Sequence, residues 1–491
     1  FCKYLLIILK DTQSKTNLHV YAHKDLSSAG IKPATSAYYR YFLKELNSTL
    51  GLFDTSTTTT KWIEQPLDHF NENDNRTWEM RYFERLEYWK PEGPVYLFIN
   101  GEWEASDAIL RTGTMYELAK DTNGAMYASE HRYYGKSKPF QDYTTENLAY
   151  LSSRQALADV AKMLKDIKML PQYNESKVVV VGGSYSANLA AWLKLLYPEL
   201  VDAAIASSGP VLAKKNFYEY LEAVSDDFEQ HGTSGCHDAI RNMFTRYAEL
   251  FKTSSGIEDL KNEEQICNST DMNKPENKQL FFLDKAVQFM YEAQYGTTES
   301  IRNYCNEMNK PSHDFSSEDD DCDLWDEKAH CFDYDFDEMI TEMKKVDWVT
   351  AWTYQTCTEF GYFMSTSSDN HPFTDNIPVE LFYSMCTKMY GAEFDEKRVD
   401  KGITNSNDMY GGLTPNVTHV VFVNGELDPW ARLGVLEDIS YDAPAKIIAR
   451  SSHCKDLYSD RAKDPEELKE ARQYVKYLIK RWIGAGEYAK P

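Results

Sequence analysis

The segment Val178–Ala187 constrains the fold of this chain more than any other. Its four consecutive valines have the length and the β-branched composition of a buried parallel strand. Gly182 and Gly183 permit a sharp turn, and the residues from Asn188 onward have the pattern of an amphipathic helix. A strand, a tight turn with Ser184 at its apex and a helix form the arrangement called a nucleophile elbow. The sequence therefore predicts a buried parallel sheet with a reactive serine at the end of one strand.

The elbow departs from the usual G-x-S-x-G pattern at one position, because Ser186 stands where the last glycine is expected. Serine is small enough for the helix and the strand to pack closely, so the pattern tolerates the change. By itself the segment is equally compatible with a buried strand that ends in an ordinary Gly-Gly-Ser turn. The choice between the two interpretations depends on partner residues elsewhere in the chain.

Two later segments supply the residue types that a serine nucleophile requires. The hydrophobic run Thr418–Asn424 leads to Asp428, and the shorter run Ala445–Arg450 leads to His453. Nucleophile, acid and histidine, in that chain order and each just after a strand, are typical of an α/β-hydrolase. His453 would take the proton from Ser184, and Asp428 would orient the imidazole. One histidine after a strand is usually structural, but three matching residue types at three strand ends favour a catalytic triad.

Composition and charge limit the class of protein. The chain has 491 residues, too many for one compact core, and 42% of them are hydrophobic, as in a well-packed globular protein. The formal net charge of −24 argues against nucleic acid and anionic membranes as partners. No segment is long and apolar enough for a membrane helix. We therefore expect a soluble product with no nucleic-acid or membrane partner.

Three features predict passage through the secretory pathway. The first ten residues resemble the end of a signal-peptide hydrophobic region, although a buried strand is an alternative. Nine cysteines without a Cys-x-x-Cys spacing fit an oxidising compartment and argue against zinc, so we expect neither a metal nor another cofactor. Five Asn-x-Ser/Thr sequons predict glycosylation at Asn47, Asn75, Asn174, Asn268 and Asn416. A secreted or lysosomal protein is expected.

The chain divides into four parts by composition. Residues 11–60 are largely polar, and residues 1–60 are predicted to be a truncated signal or leader region. Strand and helix patterns alternate through 61–211, as in a mostly parallel sheet covered on both faces. Residues 212–345 are rich in helix formers, charge and cysteine, and 346–491 are assigned to the second part of the core. The predicted fold is an α/β-hydrolase with a helical cap domain inserted after the half that carries the nucleophile.

Five stretches of unusual composition carry a resemblance to a known family. They are Gln65–Asn71, Glu130–Gly135, Gly182–Tyr185, Tyr354–Gly361 and Asn424–Trp430. Through them the chain resembles the prolyl carboxypeptidase and dipeptidyl peptidase II family of serine exopeptidases, and within it the thymus-specific serine protease branch. The resemblance implies an α/β-hydrolase with an inserted helical domain that hydrolyses peptides near their ends, often after proline. It also assigns the roles of nucleophile, acid and base to Ser184, Asp428 and His453 respectively.

The predicted site extends beyond these three residues. Tyr185, directly after the nucleophile, and Gly101, after an earlier strand, are expected to donate the two N–H groups of an oxyanion hole. Glu102 is either a structural carboxylate or a contact for a peptide amino terminus, and the sequence leaves both open. The predicted substrate-binding residues are Glu102, Thr353, Tyr354 and Trp430.

Thr353 marks a departure from the family pattern, in which an aspartate at this place pairs with the free amino group of a substrate in the dipeptidyl enzymes. Thr353 is uncharged and cannot form that ion pair, which argues against release of an N-terminal dipeptide, although the sequence does not decide between the two termini. The resemblance also implies a disulfide between Cys357 and Cys386 and a homodimer. Five further cysteines lie in the predicted cap, so one of them is left over or pairs with Cys454.

Three functions are compatible with these observations. The first is a serine exopeptidase that acts on short peptides through an acyl-enzyme. The second is an esterase or lipase with the same elbow, against which the peptidase-like stretches Glu130–Gly135 and Tyr354–Gly361 argue. The third is a non-catalytic secreted binding protein on a hydrolase scaffold, which the intact set of serine, aspartate and histidine disfavours.

Overall fold

The computed structural model describes residues 57–308 and 331–485 of the chain. The strands in these ranges are β1 (Thr58–Pro66), β2 (Thr77–Arg85), β3 (Val95–Ile99), β4 (Ala125–Ser129), β5 (Val178–Gly183), β6 (Ala203–Ser207), β7 (Lys214–Asn216), β8 (Gly361–Phe363), β9 (Val420–Gly425) and β10 (Ala445–Ile448). Eight of them form the main sheet in the order β1-β2-β4-β3-β5-β6-β9-β10, and β7 pairs with β8 separately. Strand β2 is antiparallel to both of its neighbours, and the other pairs are parallel.

The helices alternate with the strands and then dominate the middle of the chain. They are α1 (Thr114–Thr122), α2 (Ser153–Met169), α3 (Tyr185–Leu196), α4 (Glu219–His231), α5 (Cys236–Leu250), α6 (Ser254–Glu263), α7 (Pro275–Tyr295), α8 (Thr298–Met308), α9 (Phe336–Met343), α10 (Asp347–Gln355), α11 (Glu380–Tyr390), α12 (Glu396–Tyr410) and α13 (Glu466–Trp482). None of the helices in the described ranges is long and apolar enough to cross a membrane.

The four valines of β5 are buried on both faces of the main sheet. Val178 and Val180 belong to a larger core that includes α2 and α3, whereas Val179 and Val181 belong to a smaller core with α1 and α13. Burying one such side chain contributes about 1.5–3 kcal/mol. Helices on both faces of a mostly parallel sheet, with a serine turn after β5, make this an α/β-hydrolase fold, which confirms the predicted class.

The helical insertion is longer than the sequence predicts. The chain leaves the main sheet after β6 and returns to it only at β9, so α4 to α12 and the small β7–β8 sheet lie between. The predicted boundary at 345 therefore falls inside the helical region. The prediction was wrong because the apolar pattern of α10 resembles the sequence of a core element, whereas Trp348 and Trp352 of this helix face a cavity. At the other end β1 begins at Thr58, inside the predicted leader 1–60, whose residues before 57 lie outside the described ranges.

Three disulfides stabilise the described part of the chain. Cys357 pairs with Cys386, as the resemblance implies. The other two, Cys236–Cys305 and Cys267–Cys331, lie within the insertion and close loops with sequence separations of 69 and 64. In the chain-entropy model such loops contribute about 4 kcal/mol each. Cys454 forms no disulfide, and Cys322 lies outside the described residues.

Four predicted glycosylation sites are at the surface. Asn75, Asn174, Asn268 and Asn416 are exposed, and Asn47 lies outside the described residues. Exposure is the condition that an Asn-x-Ser/Thr sequon must meet in a folded secreted protein. Modification at these positions stays a prediction.

A buried ion pair joins the first two stretches that carry the family resemblance. The Arg132 guanidinium donates from Nε and Nη2 to the Asp159 carboxylate at 2.6 and 2.7 Å, and from Nη1 to the Leu67 carbonyl at 3.0 Å. His69 Nε2 lies 2.7 Å from the same carboxylate, and Gln65 Nε2 donates to the Asp159 carbonyl at 3.0 Å. These contacts attach the end of β1 to α2, so both stretches have a structural role.

Arg132→Met is expected to lower the free energy of unfolding by about 3–5 kcal/mol, because it leaves the buried Asp159 without its main counter-ion. Urea denaturation with the disulfides intact measures the effect. Lys162→Met is the matched control, since it breaks a half-exposed ion pair with Asp166 and should cost less than about 1 kcal/mol. Equal transition midpoints for the two variants would contradict the stabilising role of the buried pair.

Candidate active site

Ser184 occupies the sharp turn between β5 and α3. Its φ and ψ of 59° and −133° are strained values for a residue other than glycine. A Cβ at Gly182 would lie 2.0 Å from the Ser186 carbonyl oxygen, so only glycine fits there. Ser186 Oγ donates to the Gly183 carbonyl at 2.9 Å and accepts from the Gly183 N–H at 2.8 Å. The serine that replaces the expected glycine therefore stabilises the turn.

Asp428 and His453 form a buried pair after β9 and β10. His453 Nδ1 and Asp428 Oδ2 are 2.7 Å apart, and Asp428 Oδ1 accepts from the Trp430 N–H at 3.1 Å. A carboxylate can only accept, so Nδ1 carries the proton and Nε2 of the neutral ring is free to accept. His453 Nε2 is buried and has no hydrogen-bond partner among the described residues. This is the state required of a histidine that serves as a base.

The main sheet brings the turn of Ser184 and the loop of His453 together. The Ser184 N–H donates to the Ser207 carbonyl at 2.9 Å, and the Cys454 N–H donates to Ser208 Oγ at 2.9 Å. A Cβ at Gly183 would lie 3.1 Å from Cys454 Sγ. Because the two loops are held against the same end of β6, Ser184 and His453 both lie at that end of the main sheet.

The insertion contacts the histidine loop directly. The His453 N–H donates to the carbonyl of Gln294 in α7 at 2.9 Å, and Ser452 Oγ donates to the Gly296 carbonyl at 2.7 Å. Tyr220 of α4 donates to Gln294 Oε1 at 2.6 Å, and the Tyr295 ring stands edge-on to the His453 ring with centroids 5.8 Å apart. The sequence carries no local signal for the contacts between the insertion and the histidine loop, because they join residues more than 150 positions apart.

A cavity of about 160 Å³ lies between the insertion and Ser184. Glu102, Thr353 and Trp430, three of the predicted substrate-binding residues, line it. Tyr354, the fourth, is not on the wall, and its ring packs against Tyr390 and Phe394. On α10 adjacent residues point in different directions, so Thr353 faces the cavity while Tyr354 faces the interior of the insertion.

Comparison with known proteins agrees with this geometry. The model of a protein family described as serine carboxypeptidase S28 matches residues 65–475. The chain belongs to the serine carboxypeptidase S28 family. It is 30% identical over 444 residues to the thymus-specific serine protease of Mus musculus, with 86% of this chain and 87% of the relative covered. It is 29% identical over 463 residues to the lysosomal Pro-X carboxypeptidase of Bos taurus, with 86% and 87% covered.

Membership of the S28 family makes the chain a serine-type peptidase and confirms the resemblance seen in the sequence. An esterase or a non-catalytic binding protein is no longer the simplest interpretation of the elbow.

The predicted oxyanion-hole residues of this S28 peptidase meet at the elbow. Tyr185 is the first residue of α3, so its N–H has no carbonyl within the helix to bond. A Cβ at Gly101 would lie 3.2 Å from Tyr185 Cδ1 and 3.3 Å from the Ser186 nitrogen. The loop after β3 thus runs against the start of α3, and the absence of a side chain at Gly101 permits this approach. Their role as donors stays a prediction.

A hydrogen-bond network behind the elbow includes residues that the sequence analysis did not assign. Tyr185 Oη accepts from Gln355 Nε2 at 2.9 Å and lies 3.0 Å from His131 Nε2. His131 Nδ1 lies 2.7 Å from the Arg132 carbonyl, which can only accept, so Nδ1 is protonated and Nε2 accepts from Tyr185. Burial lowers the pKa of His131 to about 4 and keeps it neutral. Tyr134 completes the network by donating to Gln355 Oε1 at 2.7 Å.

A second network holds the loop after β3. Glu130 accepts from Arg81 Nη2 at 2.5 Å, from Ser137 Oγ at 2.7 Å and from the Ala105 N–H at 3.0 Å. Gly135 has a φ of +59°, and a Cβ there would lie 2.0 Å from Glu130 Oε1. The two stretches of family resemblance that begin at Glu130 and at Tyr354 therefore hold the residues around the elbow in place. Their unusual composition could have suggested this role, but their positions in the sequence could not.

Proposed function

We propose that this serine-type peptidase is an exopeptidase that cleaves short peptides near their ends through Ser184, His453 and Asp428. The observation that carries the proposal is the buried pair of Asp428 and His453, which leaves His453 Nε2 unpaired beside the elbow. Two further observations support it, the strained turn at Ser184 and the position of that serine on the cavity wall.

The proposed reaction proceeds through an acyl-enzyme. His453 Nε2 takes the proton of Ser184 as Oγ adds to the scissile carbonyl, and the N–H groups of Tyr185 and Gly101 stabilise the oxyanion. The C–N bond then breaks, and His453 gives its proton to the leaving amine. Water, deprotonated by the same imidazole, hydrolyses the ester and restores the serine. Asp428 holds the imidazole and stabilises its cation throughout.

Two features support cleavage near proline at a peptide end. Residues of the insertion line much of the cavity, whose volume of about 160 Å³ matches a small part of a peptide. Its wall includes Trp348, Trp352 and Trp430, and flat apolar surfaces of this kind suit a pyrrolidine ring. The relatives include a lysosomal Pro-X carboxypeptidase, whose name specifies a bond next to proline.

A panel of peptides analysed by mass spectrometry tests the proposal. It contains one peptide with proline second, one with proline next to last and one 20-residue peptide with a single central proline. We expect cleavage of the first or the second peptide within two residues of a terminus and no cleavage of the third at its centre. Internal cleavage of the long peptide would show an endopeptidase and overturn the proposal.

The pKa of His453 predicts an acid limb in the pH profile. Burial lowers this pKa, but the attraction and the hydrogen bonds of Asp428 and Cys454 together outweigh burial and hold it well above the ordinary value for histidine. Only the neutral imidazole accepts the serine proton, so kcat/KM should be complete above that pKa and fall as the pH decreases through it. The measurement is kcat/KM for one peptide across the pH range. A rate that stays constant down to the pH of acid unfolding would contradict His453 as the base.

We also propose a lysosomal or secreted location and a homodimer. The disulfides and the exposed sequons support passage through the secretory pathway, and a lysosomal relative supports the compartment. The dimer rests on the resemblance alone. A mass shift on treatment with an N-glycosidase tests the first, and sedimentation equilibrium of the purified protein tests the second.

A further inference from the structure

One face of α7 forms a side of the cavity at Ser184. The residues of this face follow a spacing of three to four along the chain, which places them on one side of the helix. They are Leu283, Val287, Met290, Tyr291, Gln294 and Tyr295. In the last turn of α7 the rings of Tyr291 and Tyr295 contact each other, with their centroids 4.9 Å apart and their planes at 45°. The end of α7 thus presents an aromatic surface to a peptide bound in the cavity.

Tyr295 is fixed relative to His453 through both of its neighbours in the chain. The carbonyl of Gln294 accepts from the His453 N–H at 2.9 Å, and the carbonyl of Gly296 accepts from Ser452 Oγ at 2.7 Å. The Tyr295 ring lies at 89° to the His453 ring, with their centroids 5.8 Å apart. Tyr295 therefore belongs both to the wall of the cavity and to the immediate surroundings of the proposed base.

The position of His453 defines which part of a substrate lies beside Tyr295. In the proposed reaction His453 Nε2 gives its proton to the nitrogen of the leaving amine. This transfer requires the two nitrogen atoms to approach to about 3 Å. The nitrogen belongs to the first residue of the leaving fragment, whose side chain is attached one carbon atom further on. That side chain must therefore lie next to His453 and within reach of the Tyr295 ring.

We infer that Tyr295, together with Tyr291, binds the first residue of the leaving fragment and selects an aromatic side chain at that position. The inference rests on the proposed function, because it takes Ser184 as the nucleophile and His453 as the base. Aromatic rings that meet edge to face or in an offset stack gain more than burial of the same area provides. An aromatic side chain directly after the scissile bond would form such an arrangement with the two tyrosines. The preference concerns this one residue, so it is the same for release from either end of a peptide.

The test uses the purified full-length enzyme and the proline-containing peptide that it cleaves best, with the cleaved bond identified by mass spectrometry. This peptide is synthesised with phenylalanine, or with its saturated analogue cyclohexylalanine, directly after the scissile bond, and kcat/KM is measured for both forms. Tyr295→Leu keeps an apolar side chain but removes the ring, whereas Tyr295→Phe keeps the ring. Tyr441→Leu is the matched control, because Tyr441 is an exposed tyrosine of the β9–β10 connection. Labelling of Ser184 by diisopropyl fluorophosphate reports on the folded nucleophile without any peptide.

We expect wild type, Tyr295→Phe and Tyr441→Leu to favour phenylalanine over cyclohexylalanine by about fivefold in kcat/KM. In Tyr295→Leu this ratio should fall to about 1, while labelling of Ser184 is retained. A substitution that only displaced His453 would slow the cleavage of both peptides equally and leave the ratio unchanged.

An unchanged ratio in a labelled Tyr295→Leu enzyme, or equal cleavage of the two peptides by wild type, would overturn the inference. If Tyr295→Leu is not labelled, Tyr291→Leu is measured in the same way. The ratio should then be lower than in wild type, and an unchanged ratio would again overturn the inference. If wild type neither reacts with the fluorophosphate nor cleaves any peptide, the proposed function itself fails.

Discussion

Ser184→Ala is expected to lower kcat for peptide hydrolysis by about 10⁶-fold while the fold is retained. Alanine removes only Oγ, which is the atom proposed to form the ester. The main-chain bond from residue 184 to the Ser207 carbonyl and the hydroxyl of Ser186 both remain to hold the turn. Any residual hydrolysis would come from substrate binding and the oxyanion hole alone.

The measurement is hydrolysis of the proline-containing peptides by purified wild type and Ser184→Ala, with circular dichroism as a test of folding. Ser254→Ala is the matched control, because Ser254 is an exposed serine of the insertion and its removal should leave the rate unchanged. Retained turnover in a folded Ser184→Ala enzyme would refute the assignment of the nucleophile. The circular dichroism spectrum identifies a variant that fails to fold. In that case Ser184→Cys provides the test, because it keeps a nucleophilic atom and its peptide hydrolysis should be inhibited by a thiol-specific reagent.

Asp428→Asn is expected to lower kcat by about 10⁴-fold. The asparagine amide would donate to His453 Nδ1, so the ring would place its proton on Nε2 and could no longer accept one from Ser184. The substitution also removes the attraction that raises the pKa of His453, so the acid limb of any residual activity should move to lower pH.

Measuring the rate of peptide hydrolysis by Asp428→Asn across the pH range gives both the decrease in kcat and the shift of the acid limb. Asp226→Asn is the control, because Asp226 forms an exposed ion pair with Arg432, 3.0 Å long, near the same loop. Its loss should change kcat little, since exposed pairs contribute less than about 1 kcal/mol. A rate in Asp428→Asn within tenfold of wild type would show that the buried pair does not orient the base.

The elbow, and the order of Ser184, Asp428 and His453 along the chain, could be predicted because both depend on local sequence. A run of four valines buried on alternate faces, a glycine at a position where any Cβ would collide, and a following helix are all determined within ten residues around Ser184. Asp428 follows a strand with an equally clear apolar pattern, and His453 follows a shorter and less apolar strand. Local pattern thus determined the fold class, the elbow and the identities of the three residues proposed to react.

Tertiary structure alone decided how these residues are held and what the cavity presents. The end of the insertion could not be predicted, because α10 buries aromatic residues against a cavity and so resembles core sequence. Thr353 faces that cavity and Tyr354 does not, which depends on how α10 is rotated against its neighbours. The hydrogen bond that His453 donates to Gln294 and the one that Gln355 donates to Tyr185 each join distant segments. Such contacts form only when the whole chain has packed, and the same packing makes Glu102 the one Asp, Glu, Lys, Arg or His among the described residues that line the cavity.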